Sequence, residues 1–171
     1  MLLSPVTIKG NTVGSRSNTE LAYIAGFLDG DGSLMLQLKK RSDGKHKWRF
    51  MATICLYQDS RHDEPLVWIR NVIGVGYLSR RNDGITELRI QGYRLVTEVI
   101  RCLQPYIRFK VKQAKILLNA LDILANHKAD TLTELQLRLL VDHVVAIQNN
   151  NYSSTRKRTK QELCAVLGLT P

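Results

Sequence analysis

Cysteine is scarce: Cys55, Cys102 and Cys164 lie far apart, with no C-x-x-C pair among them. That count and spacing exclude a disulfide framework and a thiolate zinc site. His46, His62, His127 and His143 fall into no H-E-x-x-H or similar ligand spacing, so any metal is expected to be held by oxygen. Long apolar runs are missing too. Nothing approaches the roughly 18 to 20 consecutive apolar residues of a membrane span, and the N-terminal stretch lacks a signal-peptide apolar core. An intracellular, soluble protein is the expectation. Acids are the other shortage: fifteen Asp and Glu stand against twenty-five Lys and Arg, leaving +10. A polyanionic partner follows from that imbalance, nucleic acid ahead of membrane.

What is present is enough for a core: 171 residues, 44% of them hydrophobic, fit one folded domain. Residues 1–18 are rich in Ser, Thr, Gly and Asn and read as a flexible arm, leaving 19–171 as the domain. Thr19 is a plausible N-cap for a helix running to Asp29 or Gly30. The period then changes from 3.6 to 2. Leu34, Leu36 and Leu38 alternate with Ser33, Met35, Gln37, Lys39 and Arg41. After the turn signal "SDGK", Trp48, Phe50, Ala52, Ile54 and Leu56 alternate with Lys47, Arg49, Met51, Thr53, Cys55 and Tyr57, so the two strands form a hairpin. "DEPLVWIRNVIG" from Asp63 reads as a second helix, capped by Asp63 and stopped by Gly74. A second hairpin follows, with strands over 76–81 and 85–91 joined by "NDG". The remainder reads as helices over 93–103, 110–127, 132–148 and 160–167, the last two separated by the basic stretch "NNNYSSTRKRTK".

A sheet with one apolar face buries it under the later helices and leaves the other to solvent or to a ligand. That other face carries Lys39, Arg41, Lys47, Arg49, Arg81 and Arg89, interleaved with Ser33, Gln37, Met51, Thr53 and Ser79. Cations beside short polar side chains suit base-edge reading, and a two-stranded ribbon fits the major groove of B-DNA. For RNA, exposed aromatics would be expected, and the face offers only Tyr57 and Tyr77.

The stretch "LAYIAGFLDGDGS", 21–33, needs its own account. Ala22, Gly26 and Gly30 recur every four residues, with Ala25 and Asp29 in the adjacent row. Glycine inside a helix costs about 1 kcal/mol relative to alanine, so the stripe implies close approach of another backbone. That backbone belongs either to the chain's own core or to the same helix of a second copy. Carboxylates at a helix C-terminus are disfavoured by about 0.3 to 1 kcal/mol each unless a cation compensates. A calcium loop is excluded, because its sixth position would be Leu34 and its twelfth Lys40. Asp31 and the free carbonyls at the helix end do supply hard oxygen ligands of the kind Mg²⁺ uses, whereas a plain surface turn is the other reading.

These residues resemble the LAGLIDADG homing endonucleases. "IAGFLDGDG", "GVGYLSRR", "LQPYIRFKVKQA" and "SSTRKRT" look like the short, single-motif members over roughly 19–167. The resemblance implies an α+β protein of the αββαββα order, with a saddle-shaped antiparallel sheet, helices on one face and extra C-terminal helices. It implies a homodimer paired through the signature helix, here Ala22, Ala25, Gly26 and Asp29, that cuts both strands of a long pseudo-palindromic site to leave short 3′ overhangs. Asp31 is the implied metal-binding catalytic residue, with the Gly30 carbonyl also facing the metals, and Asp29 is implied to orient the helix end. Gln58 and Lys110 match the residues of the solvent-filled pocket, with Lys112 a nearby alternative and a further DNA contact. Where similar proteins carry a basic residue one turn after the glutamine, this sequence has His62 with Arg61 beside it. Ser154, Thr155, Arg156 and Lys157 in the basic stretch are implied DNA contacts. Mg²⁺ is the implied cofactor, two or more ions, with Mn²⁺ able to substitute; bound metal would compensate the acids at the helix end. The alternatives on the same fold are an intron RNA maturase and a non-cleaving DNA-binding protein.

Overall fold

Ser17 and Glu20 set the start of the first long helix. The Ser17 hydroxyl accepts from the Glu20 amide at 3.2 Å while the Glu20 carboxylate accepts from the Ser17 amide at 2.9 Å, a reciprocal capping box. The cap therefore falls two residues before Thr19. The structure, a computed structural model, describes residues 7–8, 11–12, 16–42, 47–151 and 157–170. Its elements are β1 (Thr7–Ile8), β2 (Asn11–Thr12), α1 (Asn18–Asp31), β3 (Gly32–Lys40), β4 (Trp48–Asp59), α2 (Glu64–Ile73), β5 (Tyr77–Arg80), β6 (Ile85–Gln91), α3 (Tyr93–Leu103), α4 (Val111–Asn126), α5 (Glu134–Asn150) and α6 (Lys160–Leu167). Short 3₁₀ turns occupy Ser60–His62 and Ala129–Thr131.

β1 and β2 pair only with each other, and the other strands form one antiparallel sheet in the order β3-β4-β6-β5. From α1 to α3 the order is αββαββα, and α4 to α6 follow, so the class is α+β as the sequence implies. Leu34, Leu36, Leu38, Phe50, Ala52, Ile54, Leu56, Leu88 and Ile90 turn to one face of the sheet and are fully buried. α1, α3, α4 and α5 cover that face, joined in one core by Leu21, Ile24, Leu28, Val96, Ile100, Leu117, Leu121 and Val144. α2 packs on β4, β5 and β6.

No loop separates α1 from β3. A Cβ at Gly32 would come within 2.7 Å of the Leu28 carbonyl oxygen, so only glycine lets the chain turn there directly from helix to strand. The catalytic candidate Asp31 is thus fixed between a helix and a sheet strand. At the other end of the second helix, Gly74 adopts φ 78° and returns its N–H to the Arg70 carbonyl at 2.8 Å. Arg16 reinforces that end, donating from Nε to the Val72 carbonyl at 3.2 Å and from Nη2 to that of Ile73. The part of the expected N-terminal arm at 1–6, 9–10 and 13–15 lies outside the described residues; Arg16 and Ser17 are tied into the fold. Among the described residues, no helix is long and apolar enough to cross a membrane.

Candidate active site and DNA-facing sheet

Asp29 and Asp31, two residues apart, have different surroundings. Asp29 is 9% exposed and faces inward on the same side of α1 as Leu21, Ile24, Ala25 and Leu28. Its carboxylate accepts from the backbone amides of Arg108 at 2.6 Å, Phe109 at 3.0 Å and Lys110 at 3.0 Å. Those residues lead into α4, so Asp29 joins the C-terminus of one helix to the N-terminus of another. Lys110 closes the arrangement. Its Nζ donates to the Asp29 carbonyl oxygen at 2.6 Å and the residue is 6% exposed. Burial pulls its ammonium below the ordinary lysine value, opposed by the negative charges of Asp29 and Asp31.

The charge conflict at the end of α1 is therefore answered in part without a metal: three N–H groups take Asp29, and an ammonium takes a helix-end carbonyl. Asp31 is left exposed, and no hydrogen bond of the described residues engages its carboxylate. Lys112 also points outward, exposed, so the structure separates it from the buried Lys110.

Gln58 lies one residue before the end of β4, half-buried, with Oε1 accepting the Asp59 amide at 2.9 Å. Arg61 turns back to Asp59, Nη2 to Oδ2 2.7 Å, and this pairing holds the Asp59 carboxyl well below the usual carboxylate range. His62 is exposed. The turn that carries both is fixed to the second hairpin: Ser60 Oγ lies 2.9 Å from Thr86 Oγ1, and Thr86 Oγ1 donates to Asp63 Oδ2 at 2.8 Å. Asp63 is thus occupied by Thr86 and Arg80 instead of capping α2 with its side chain.

On the solvent side of the sheet, the register places side chains in rows: Lys39 beside Arg49, Gln37 beside Met51, Met35 beside Thr53 and Gln91, Ser33 beside Cys55, Arg89 and Tyr77, and Tyr57 beside Glu87 and Ser79. Lys39, Arg41, Lys47 and Arg49 are exposed. Gln37, Met51 and Ser79 are half-buried. Thr53 is different: at 1% exposure between its strand neighbours it cannot reach a base edge directly, and its hydroxyl has no partner among the described residues. Ser33 is engaged by Tyr57, hydroxyl to hydroxyl 2.9 Å. Burial pushes the Tyr57 hydroxyl up to about 12 and the Cys55 thiol upward as well. Glu87 shares this face, and Arg81 and Arg89 both donate to it. Ser154, Thr155 and Arg156 lie outside the described residues, and Lys157 is exposed. The chain on either side is held to the free edge of β3, by Asn151 Nδ2 on the Leu34 carbonyl at 3.2 Å and Arg158 Nη1 on that of Leu38 at 3.0 Å.

The helix rows divide as well. Ala22, Gly26 and Gly30 are exposed, and a Cβ built at either glycine meets nothing within 4 Å. Ala25, grouped with them as a contact residue, is fully buried, and Asp29 is held within its own chain; both belong to the core side of α1 because Ile24, Leu28 and Leu21 turn that side to the sheet. Around the exposed row stand Tyr23, 58% exposed and edge-to-face with Trp68 at 5.5 Å, and Phe109 at 78%.

Among the described residues no cluster of three or more His, Cys, Asp or Glu side chains could hold a metal ion. Asp31 and the Gly30 carbonyl fit a hard divalent cation in kind, while one chain lacks the full ligand number. An exposed carboxylate near a buried lysine, at the end of a helix that runs straight into a sheet with a cationic face, is an arrangement suited to phosphodiester chemistry on a nucleic-acid platform. The family is shown directly. Residues 24–120 match the model of the LAGLIDADG endonuclease family, and the chain belongs to it.

The DNA endonuclease I-CreI of Chlamydomonas reinhardtii is 31% identical over 147 residues, 86% of this chain and 88% of that protein. I-CvuI of Chlorella vulgaris is 28% identical over 149 residues, 87% and 92% of the two chains. In structure, I-CvuI bound to the I-CreI target superposes with TM-score 0.74 at 24% identity, covering 88% of this chain and 93% of that one. An archaeal intron-encoded homing endonuclease, I-Vdi141I complexed with DNA, gives TM-score 0.75 at 18% identity over 88% and 96% of the two chains.

Replacing Asp29 with alanine strands three amides at the start of α4. The expected cost is at least about 2 kcal/mol in urea unfolding, with asparagine, which keeps one acceptor, less damaging. An unchanged unfolding midpoint for Asp29→Ala would contradict the role assigned to it.

Proposed function

We propose that the protein is a homodimeric, Mg²⁺-dependent, site-specific DNA endonuclease of the homing type. It makes a double-strand break in a long pseudo-palindromic site and leaves short 3′ overhangs. The observation that carries this reading is the exposed Asp31 carboxylate, without a hydrogen-bond partner among the described residues, near the buried Lys110. Binding RNA or DNA without cutting needs no acid next to a phosphate, so the maturase and regulator readings leave Asp31 without a purpose.

When bound, divalent ions supply Lewis-acid polarisation of the phosphate and lower the pKa of a water. Asp31 and the Gly30 carbonyl would hold them, together with phosphate oxygens, water and the second chain's Asp31; two or more ions are expected, and Mn²⁺ is expected to substitute. I-CvuI has been crystallised with DNA in the presence of Mg, the DNA being not cleaved, and in the presence of Ca, so divalent ions accompany the DNA complexes of that relative. Lys110, its ammonium anchored on the Asp29 carbonyl, contributes fixed positive charge toward the scissile phosphate. Gln58 orients water from the end of β4. His62 is the better-placed of the two basic candidates, because Arg61 is already bound to Asp59.

One chain offers one Asp31, so cutting two strands calls for two chains. The row Ala22, Gly26 and Gly30, open to solvent and bordered by Tyr23, Trp68 and Phe109, suits the same helix of a second copy. A basic dimer of this kind binds DNA with steep salt dependence, while selection among sequences falls to the sheet face.

Asp31→Asn is expected to lower cleavage at least about a hundredfold. DNA binding should stay at least as tight, because a repulsive charge is removed. Plasmid cutting and fluorescence anisotropy measure the two, and undiminished cutting would overturn the assignment. Gly26→Leu should leave the chain folded, since its own core offers no obstacle there, yet split the dimer in sedimentation. A dimer of unaltered affinity would count against the helix pairing.

A further inference from the structure

The DNA-facing side of the sheet contains a buried acid. Glu87 lies in β6 on the same face as Arg89, Tyr57 and Ser79, and it is 4% exposed. Both of its oxygens are used. Oε1 accepts from Arg81 Nη1 at 3.0 Å, and Oε2 accepts from Arg89 Nη2. Arg81 is braced from its other amino group by Asp83 at 2.6 Å. A carboxylate in the middle of a phosphate-binding surface repels the polyanion, and burying it is costly unless its partners are fixed. The arrangement therefore needs a use that outweighs both penalties.

Two groups of cations occupy this face. Lys39, Arg49 and Lys47 sit toward the far end of the first hairpin, exposed, where phosphate contact is the natural role. Arg89 is central, in the row of Ser33, Cys55 and Tyr77, and its side chain is 31% exposed. A guanidinium clamped through one nitrogen loses rotational freedom and keeps its other N–H groups for the groove. Guanine is the base that presents two acceptors, O6 and N7, to such a fork.

We propose that Glu87 is a positioning residue: braced by Arg81, it fixes Arg89 as a reader of guanine in the major groove of each half-site. The inference rests on the endonuclease reading and deepens it by naming one specificity determinant. Arg81 is the brace and Arg89 the reader, so the two arginines are not interchangeable. The pairing also removes charge from the centre of the face, which turns these residues from phosphate neutralisation to base contact.

The test is selection of bound duplexes from a library randomised across both half-sites, with Ca²⁺ in place of Mg²⁺, so that cutting is not required. The wild type is expected to enrich guanine at one symmetric pair of positions, on the order of tenfold to a hundredfold. Arg89→Ala should lose that preference at those positions alone, with the salt slope of binding unchanged. Glu87→Gln should flatten the same positions and leave the other preferences in place. If Glu87→Gln fails to fold, Arg89→Lys decides: it keeps the charge and loses the planar fork, so its guanine preference should vanish. Retained preference in Arg89→Lys, or in a folded Glu87→Gln, overturns the proposal. So does an Arg89→Ala protein that weakens on all sequences alike with a salt slope lower by about one, the mark of a phosphate contact. Enrichment of no sequence by the wild type would overturn the endonuclease reading together with this one; an enriched site with unaltered variant profiles overturns this one alone.

Discussion

The contact between the Asp29 carboxylate and the amides of residues 108–110 is the constraint on which the candidate site depends. It joins the C-terminus of α1 to the N-terminus of α4, and the polarity of both ends favours it: exposed amides receive an anion, and the helix-end carbonyl receives the Lys110 ammonium. The two bonds of Lys110, backbone to Asp29 Oδ1 and Nζ to Asp29 O, fix the position of a buried cation next to Asp31. With Gly32 turning the chain straight into β3, the backbone at Asp31 is held between helix and strand. If the proposed site acts on a phosphate, the fixed positions of Asp29 and Lys110 spare it part of the cost of reorganisation.

Similar side chains placed close together have different surroundings throughout the molecule. Asp29 is engaged by three backbone amides, whereas the Asp31 carboxylate is exposed with no hydrogen-bond partner among the described residues. Lys110 is buried at the helix end, whereas Lys112 faces solvent. Arg61 is bound to Asp59 and His62 is exposed beside it. Arg89 is held by Glu87, while Arg49 on the adjoining strand is exposed. In each pair the sequence offers two candidates of similar chemistry, and the surrounding packing assigns them different work.

Much of the fold was legible in the sequence because periodicity lay between clear stops: the strand 85–91 and the helices 93–103 and 160–167 fall where the pattern puts them. The start of α1 was not, since Ser17 and Glu20 make a better capping box than Thr19 alone. Which row of α1 faces inward was also hidden. Ala22, Gly26 and Gly30 differ little in size from Ala25, and the acceptor role of Asp29 depends on amides 79 to 81 residues further along the chain. Local spacing carries no trace of such a partner. Thr53 shows the same limit: alternation places it on the solvent side of the sheet, but only the sheet order reveals that strands on both sides cover it. The bonds of Glu87 to Arg81 and Arg89 likewise depend on the hairpin geometry, which brings the three side chains together.

If each chain supplies one Asp31 to one strand of the target, a dimer of one wild-type chain and one Asp31→Asn chain must be a nickase. Differently tagged chains, co-purified as the mixed dimer and given supercoiled plasmid bearing the cleavage site with Mg²⁺, test this directly. Accumulation of open circles, with linear product only at the level of contaminating wild-type dimer, is the expected result. Linear product at the wild-type rate would contradict the account, because one carboxylate would then suffice for both strands.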